Sequence, residues 1–306
     1  MAWGSSRSCP SRPRVPADGD RSGAWKTPAP VVMLVLVATN PFQRGPEPTA
    51  AALETTGPYA VTVVPVADVD TSGFRAATIY HPTTAADGTF GGVSLAPGFV
   101  ESQVAVRWLG PRLASHGFVV IAFDTRSLLD DPPSRGAQLL AALDHLTDRS
   151  SARGRVDPGR LAVMGHSMGG GAALEAARAR PSLRAAVPLA GWHLDRSWPE
   201  VATPTLVIGA QFDVVAPVAL YSQPFYEGLP AGLPKAYLEI TAADHFVTNR
   251  PTPTVSRLSI AWLKRFVDDD TRYTPFLCPP PPVTGPIAEY RSTCPYLLLT
   301  SSGTVR

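Results

Sequence analysis

The chain has 306 residues, a formal net charge of +2 and 44% hydrophobic residues, with a mean hydropathy of +0.03 and a pI near 8.5. Such a length can bury a large core, and α/β folds of this size are often one domain. No basic helix concentrates the charge, which argues against nucleic acid as a partner.

Residues 1–30 are rich in Arg, Ser, Pro and Gly with no apolar period, so they should not fold alone. The apolar run 31–38 follows, far short of the roughly 20 residues that cross a bilayer. Behind Arg12, Arg14, Arg21 and Lys26 it has the length of a signal-peptide core. Residues 1–38 are therefore expected to be a leader, and the protein to be secreted to the extracellular space. A buried strand behind a disordered tail is the competing reading.

From residue 59, short β-branched runs alternate with longer helical ones, the pattern of an α/β protein with a mainly parallel sheet. Strands are expected at 60–66, 76–80, 92–96, 118–123, 160–164, 185–189, 204–209 and 236–241. Several are continuously apolar, as strands covered on both faces should be. Helices are expected at 104–115, 135–149, 168–180, 217–228 and 255–267, the last with Leu258, Ala261, Trp262 and Phe266 on one packing face. Residues 279–282 are a proline run expected to be irregular, and 297–306 form a tail with a short apolar stretch, Leu297 to Leu299. Cys9 lies in the expected leader, leaving Cys278 and Cys294, whose spacing suits neither a zinc site nor a CxxC motif. They form either one disulfide, worth about 3 kcal/mol in the chain-entropy model and implying an oxidising compartment, or two free thiols in an irregular segment.

The stretch Gly165-His166-Ser167-Met168-Gly169 follows an expected strand and opens an expected helix. GxSxG at a strand-to-helix turn is the nucleophile elbow, where a strained serine needs neighbours without side chains. A helix N-terminus there also aims amides at developing negative charge. A serine hydroxyl needs a base, and α/β-hydrolases supply it in the order Ser, acid, His. After Ser167 there are two histidines, His193 and His245, and His245 lies just past the strand 236–241. Asp213 lies just past the strand 204–209, so Ser167, Asp213 and His245 are the expected triad. Asp244 is the main rival acid, awkward because it adjoins His245, and Asp195 is a weaker one. The oxyanion donors are expected to be the amides of Met168 and, in the loop after the third strand, Phe99. His166, although it adjoins the serine, is not the expected base.

At these motifs the sequence resembles the actinobacterial cutinase and polyester hydrolase family, which includes enzymes acting on poly(ethylene terephthalate). The likeness is carried by residues 40–46 (NPFQRGP), 113–121 (LASHGFVVI), 160–170, 261–268 (AWLKRFVD), 270–274 (DTRYT) and 289–295 (EYRSTCP), and spans roughly 40–296. It implies a lidless α/β-hydrolase over 39–296, a mature chain beginning near Thr39 or Asn40, and the same triad and oxyanion donors. It further implies a Cys278–Cys294 disulfide and a groove lined by Phe99, His166, Trp192, His193, Val215 and Phe246, with Phe99 and Trp192 as an aromatic clamp. Trp192 could be a core residue, but its place in the loop after a strand, beside Gly191 and His193, favours the groove.

There are two departures from the family. Phe99 stands where many relatives have tyrosine. The three acidic positions of the family's divalent-cation site correspond here to Gln211, Thr241 and Ala288, which cannot supply the charge that calcium requires. No metal and no cofactor is therefore expected. The expected reaction is acyl transfer through Ser167 to water on polymeric or small esters, by a monomer. Triacylglycerol lipase or general carboxylesterase activity, transfer to an alcohol acceptor, and a non-catalytic surface-binding role are the alternatives.

Overall fold

The computed structural model describes residues 40–296; the expected leader with its apolar run, and the 297–306 tail, lie outside the described residues. Strands form at β1 (Val61–Val66), β2 (Ala77–Pro82), β3 (Phe90–Ala96), β4 (Phe118–Phe123), β5 (Val156–His166), β6 (Ala185–Leu189), β7 (Thr205–Ala210), β8 (Lys235–Ile240) and β9 (Ile287–Ser292). They make one sheet in the order β1-β2-β4-β3-β5-β6-β7-β8-β9. The six strands from β4 to β8 run parallel, and antiparallel pairings add β1 and β2 at one edge and β9 at the other.

The continuously apolar strands are covered on both faces. In β4, Phe118, Val120 and Ala122 enter one core, and Val119, Ile121 and Phe123 enter the other. Each fully buried side chain of this kind contributes about 1.5–3 kcal/mol. Helices α1 (Ala50–Glu54), α2 (Leu109–Ser115) and α6 (Pro253–Val267) supply the first core. Helices α3 (Pro132–Asp148), α4 (Met168–Ala179) and α5 (Ser222–Gly228) supply the second.

Two helices start later than their apolar patterns suggest. The expected helix 104–115 is a short 3-10 turn (Gln103–Ala105) followed by α2, and the expected 217–228 begins only at Ser222. Pro111 and Pro224 sit at the third helical position of α2 and α5, where a missing N–H is harmless; one turn further in, each would remove a hydrogen bond and clash. Conversely, α3 begins three residues earlier than expected, because Asp131 caps it by accepting from Ser134 N at 2.9 Å and prolines occupy its first turn. Strand β9, where no strand is expected from the sequence, closes the sheet beside β8, and a disulfide joins Cys278 to Cys294 with Cα atoms 5.7 Å apart. Among the described residues no helix is long and apolar enough to cross a membrane.

Candidate active site

The site lies where strands β3, β5, β6, β7 and β8 end, the edge at which α/β sheets bind ligands. Strand β5 stops at His166 and α4 starts at Met168, so the whole turn falls on Ser167, with φ 54° and ψ −118°. A non-glycine residue in such a conformation costs on the order of 1–3 kcal/mol and persists only where its surroundings fix it. Here Ser167 N donates to Leu189 O at 2.9 Å, and Ser167 O accepts from Trp192 N at 2.9 Å and Gly170 N at 2.8 Å. The flanking glycines allow the tight turn. A Cβ on Gly165 would collide with the Gly169 carbonyl, and one on Gly169 would lie 2.5 Å from Ala96 O.

Long-range packing brings two later loops to the serine. His245 Nε2 lies 2.9 Å from Ser167 Oγ, and His245 Nδ1 lies 2.7 Å from Asp213 Oδ2. Asp213 is fixed from behind, its Oδ1 accepting from Val215 N at 2.9 Å and Ala216 N at 2.7 Å. Burial alone would raise the Asp213 carboxyl, but the His245 hydrogen bond, the two amides and the imidazole's charge outweigh it and hold the group below the usual carboxylate range. Asp213 is thus a buried carboxylate with one oxygen for the backbone and one for the ring. This arrangement orients His245 and lets Nε2 take the Oγ proton. The rival acid Asp244 turns away, capping its own loop at Phe246 N and pairing with Arg250. Asp195 bonds to Ser197 N instead.

The backbone N–H groups of Phe99 and Met168 have no protein acceptor among the described residues, and the Phe99 loop abuts the elbow, since a Cβ on Gly98 would lie 3.0 Å from Ser167 Cβ. Phe99, Val215 and Phe246 present open apolar surface at 45%, 51% and 50% exposure. Trp192 is half-buried, with its ring 6.0 Å from that of Tyr221. Two of the expected groove walls are instead buried beneath the surface. His166, at 1% exposure, turns inward between Glu101 and the His245 carbonyl. His193, at 6%, accepts from Asp195 N through Nδ1 and turns Nε2 toward Glu175, 3.0 Å away but poorly aligned for a hydrogen bond.

At the rim, Gln211 Oε1 accepts from Ala242 N at 2.9 Å, so a neutral amide bond ties the loops after β7 and β8. Among the described residues no group of three or more His, Cys, Asp or Glu is placed to hold a metal ion.

Sequence reading misses Glu101, Asn249 and Glu175. Glu101 contacts partners 65 and 148 positions away, and nothing in the local pattern 97–103 marks it.

An open, mainly parallel sheet with a strained serine between strand and helix, met by imidazole and carboxylate from two later strand ends, defines the α/β-hydrolase class. The chain belongs to the PET hydrolase-like family, whose model matches residues 36–295. It is 58% identical over 260 residues to a bis(hydroxyethyl) terephthalate hydrolase of Streptomyces coelicolor, covering 85% of this chain and 84% of the relative. It is 52% identical over 264 residues to a cutinase of Thermobifida fusca, covering 85% and 87%, and 52% identical over 262 residues to cutinase 1 of Thermobifida cellulosilytica, covering 84% and 99%.

Proposed function

We propose that this protein is a serine carboxylic-ester hydrolase of polyesters and short-chain esters, with Ser167 as nucleophile, His245 as general base and Asp213 as its orienting acid. The observation that carries this reading is the unbroken chain of contacts from Asp213 through His245 to Ser167, within a family whose relatives are named for cutin and terephthalate ester hydrolysis.

In the first half-reaction, Oγ attacks the ester carbonyl while His245 Nε2 takes its proton and then gives it to the leaving alcohol. The amides of Phe99 and Met168 hold the oxyanion, Met168 from the first turn of α4. Water then hydrolyses the acyl-enzyme by the same proton path. Phe99, Trp192, Val215 and Phe246 line an open apolar groove, which suits a polymer chain that cannot thread into a closed pocket. Residues 39–296 act as a single catalytic domain, without cofactor, metal or nucleic-acid partner, as a secreted monomer released from the 1–38 leader.

Two measurements test the reading. Ser167→Ala should abolish turnover of p-nitrophenyl butyrate with an unchanged fold, a loss of about 10⁶ in kcat; substantial residual turnover removes Ser167 from its role. Chromatography of products from amorphous aromatic polyester film, beside a tributyrin assay, should show terephthalate esters or acid. Tributyrin hydrolysis alone would leave a lipase or general carboxylesterase.

A further inference from the structure

We propose that Glu101 and His166 form a buried carboxylate–imidazolium pair that locks the oxyanion loop, the elbow and the base-bearing turn into one frame, making Glu101 a positioning residue for the hydrolysis. The proposal rests on the catalytic roles assigned above.

The hydrogen-bond pattern fixes the charges. Glu101 Oε2 accepts from Gly98 N at 2.7 Å and lies 2.9 Å from His166 Nδ1. Its Oε1 accepts from Asn249 Nδ2 at 2.7 Å. Every partner of the carboxyl can donate, and the group is ionised: burial alone would raise it, but the bonds and charge from His166 and the donors at Gly98 and Asn249 hold it below its ordinary range. His166 Nε2 lies 3.1 Å from the His245 carbonyl oxygen, which can only accept. Both ring nitrogens therefore face acceptors, and a neutral imidazole can donate to only one. The ring that satisfies both is the imidazolium.

The three segments tied together are the ones the reaction uses. Gly98 precedes the oxyanion donor Phe99, His166 precedes Ser167, and Asn249 ends the 3-10 turn His245–Asn249. The oxyanion loop also holds a left-handed β-branched residue, Val100 at φ 53°, a strained conformation that needs outside support. Gly98 is packed so closely that an added Cβ would lie 2.8 Å from Glu101 Oε2 and 3.1 Å from His166 Nδ1. The other charged groups facing the pair are Arg135 of α3 on one side and, on the other, His245 with Asp213 behind it. Buried Arg135 donates to Pro97 O, Leu128 O and Asp130 O, and its charge reaches Glu101. The His245 ring lies 4.7 Å from that of His166, tilted by 51° to it.

Nitrogen NMR of histidine-labelled full-length protein tests the charge. At about pH 7.5, roughly one unit above the ordinary imidazole value, both ring nitrogens of His166 should carry protons, and in Glu101→Gln one should be bare. A neutral His166 in the parent overturns the proposal whether or not any variant folds. Glutamine keeps the shape and can bond to Asn249, whose Oδ1 is otherwise unpartnered. Glu101→Gln should therefore stay folded, melting somewhat lower because a stabilising charge is lost, and keep the parent's KM while kcat falls about ten- to hundredfold, with partial recovery in Glu101→Asp. Unchanged kcat in the folded variant also overturns it. Ser167→Ala assayed in parallel separates the readings. An active Ser167→Ala defeats the catalytic assignment and leaves the charge result standing, whereas an inactive one beside a neutral His166 defeats only the Glu101 proposal.

Discussion

Two imidazole–carboxylate pairs sit side by side in this molecule, and similar contacts give them opposite chemistry. In each, a buried ring nitrogen lies within 2.9 Å of a carboxylate oxygen: Asp213 for His245 and Glu101 for His166. The difference lies in the other nitrogen. That of His245 meets the Ser167 hydroxyl, which can donate or accept, so the ring can gain and lose a proton. That of His166 meets a backbone carbonyl, which can only accept and has no proton to exchange. A third case sharpens the contrast. His116 is equally buried but has no carboxylate; its Nε2 bonds Thr55 O at 3.1 Å. Burial first, then the positive charges of Lys264 and Arg112, depress it to about 4. What a buried histidine does is set by the partner of each nitrogen and by whether an acid offsets its burial, not by sequence context.

The largest test breaks the first pair. Asp213→Asn should leave the geometry nearly intact but lower kcat about 10⁴-fold, because the amide favours the wrong tautomer and cannot balance the imidazolium that forms. Steady-state kinetics on p-nitrophenyl butyrate would show it, and a loss below tenfold would mean that Asp213 does not orient the base.

A smaller effect separates the histidine that lacks an acid. His116 takes a proton near pH 6.5 when unfolded and only near 4 when folded, so between those values the unfolded chain binds the proton more readily. Stability therefore rises with pH across that window and is fully present above it, by on the order of 3 kcal/mol. Urea unfolding at pH 7 and 4.5 should show His116→Gln losing less stability on acidification than the parent; parallel losses would contradict this. Asp213 and Glu101 act lower down: both are held below their ordinary range, so their contribution is present above that range and is lost only as the pH falls through their folded values.

The smallest expected effect is none. Where a rim carboxylate would bind calcium, Gln211 makes its neutral bond to Ala242. Millimolar calcium should leave the melting temperature within a degree or so, and a rise of many degrees would reveal a cation site elsewhere.

Much of the fold was legible because parallel strands covered on both faces must be largely apolar, as in β4, in residues 161–164 of β5 and in β7 beyond Thr205. The late starts of α2 and α5 were misjudged because apolar spacing continued upstream of Pro111 and Pro224, whose rings limit where a helix can begin. Strand β9 escaped notice because its burial does not alternate, and because its stability comes from β8, some 50 positions earlier. Phe99, Val215 and Phe246 lie at the surface, but the histidines of the same loops turn inward, and no local pattern tells which way a loop side chain faces.

The sequence by itself determined the elbow, because GxSxG between an apolar strand and a helix is a local steric requirement. It also marked which strand ends would bear the acid and the histidine. Only the tertiary structure decided that His166 turns inward to meet a carbonyl, because that contact spans 79 positions. It also brought Glu101 beneath the oxyanion loop: a carboxylate in a turn carries no signal until packing removes the water around it and leaves an imidazole as its counter-ion.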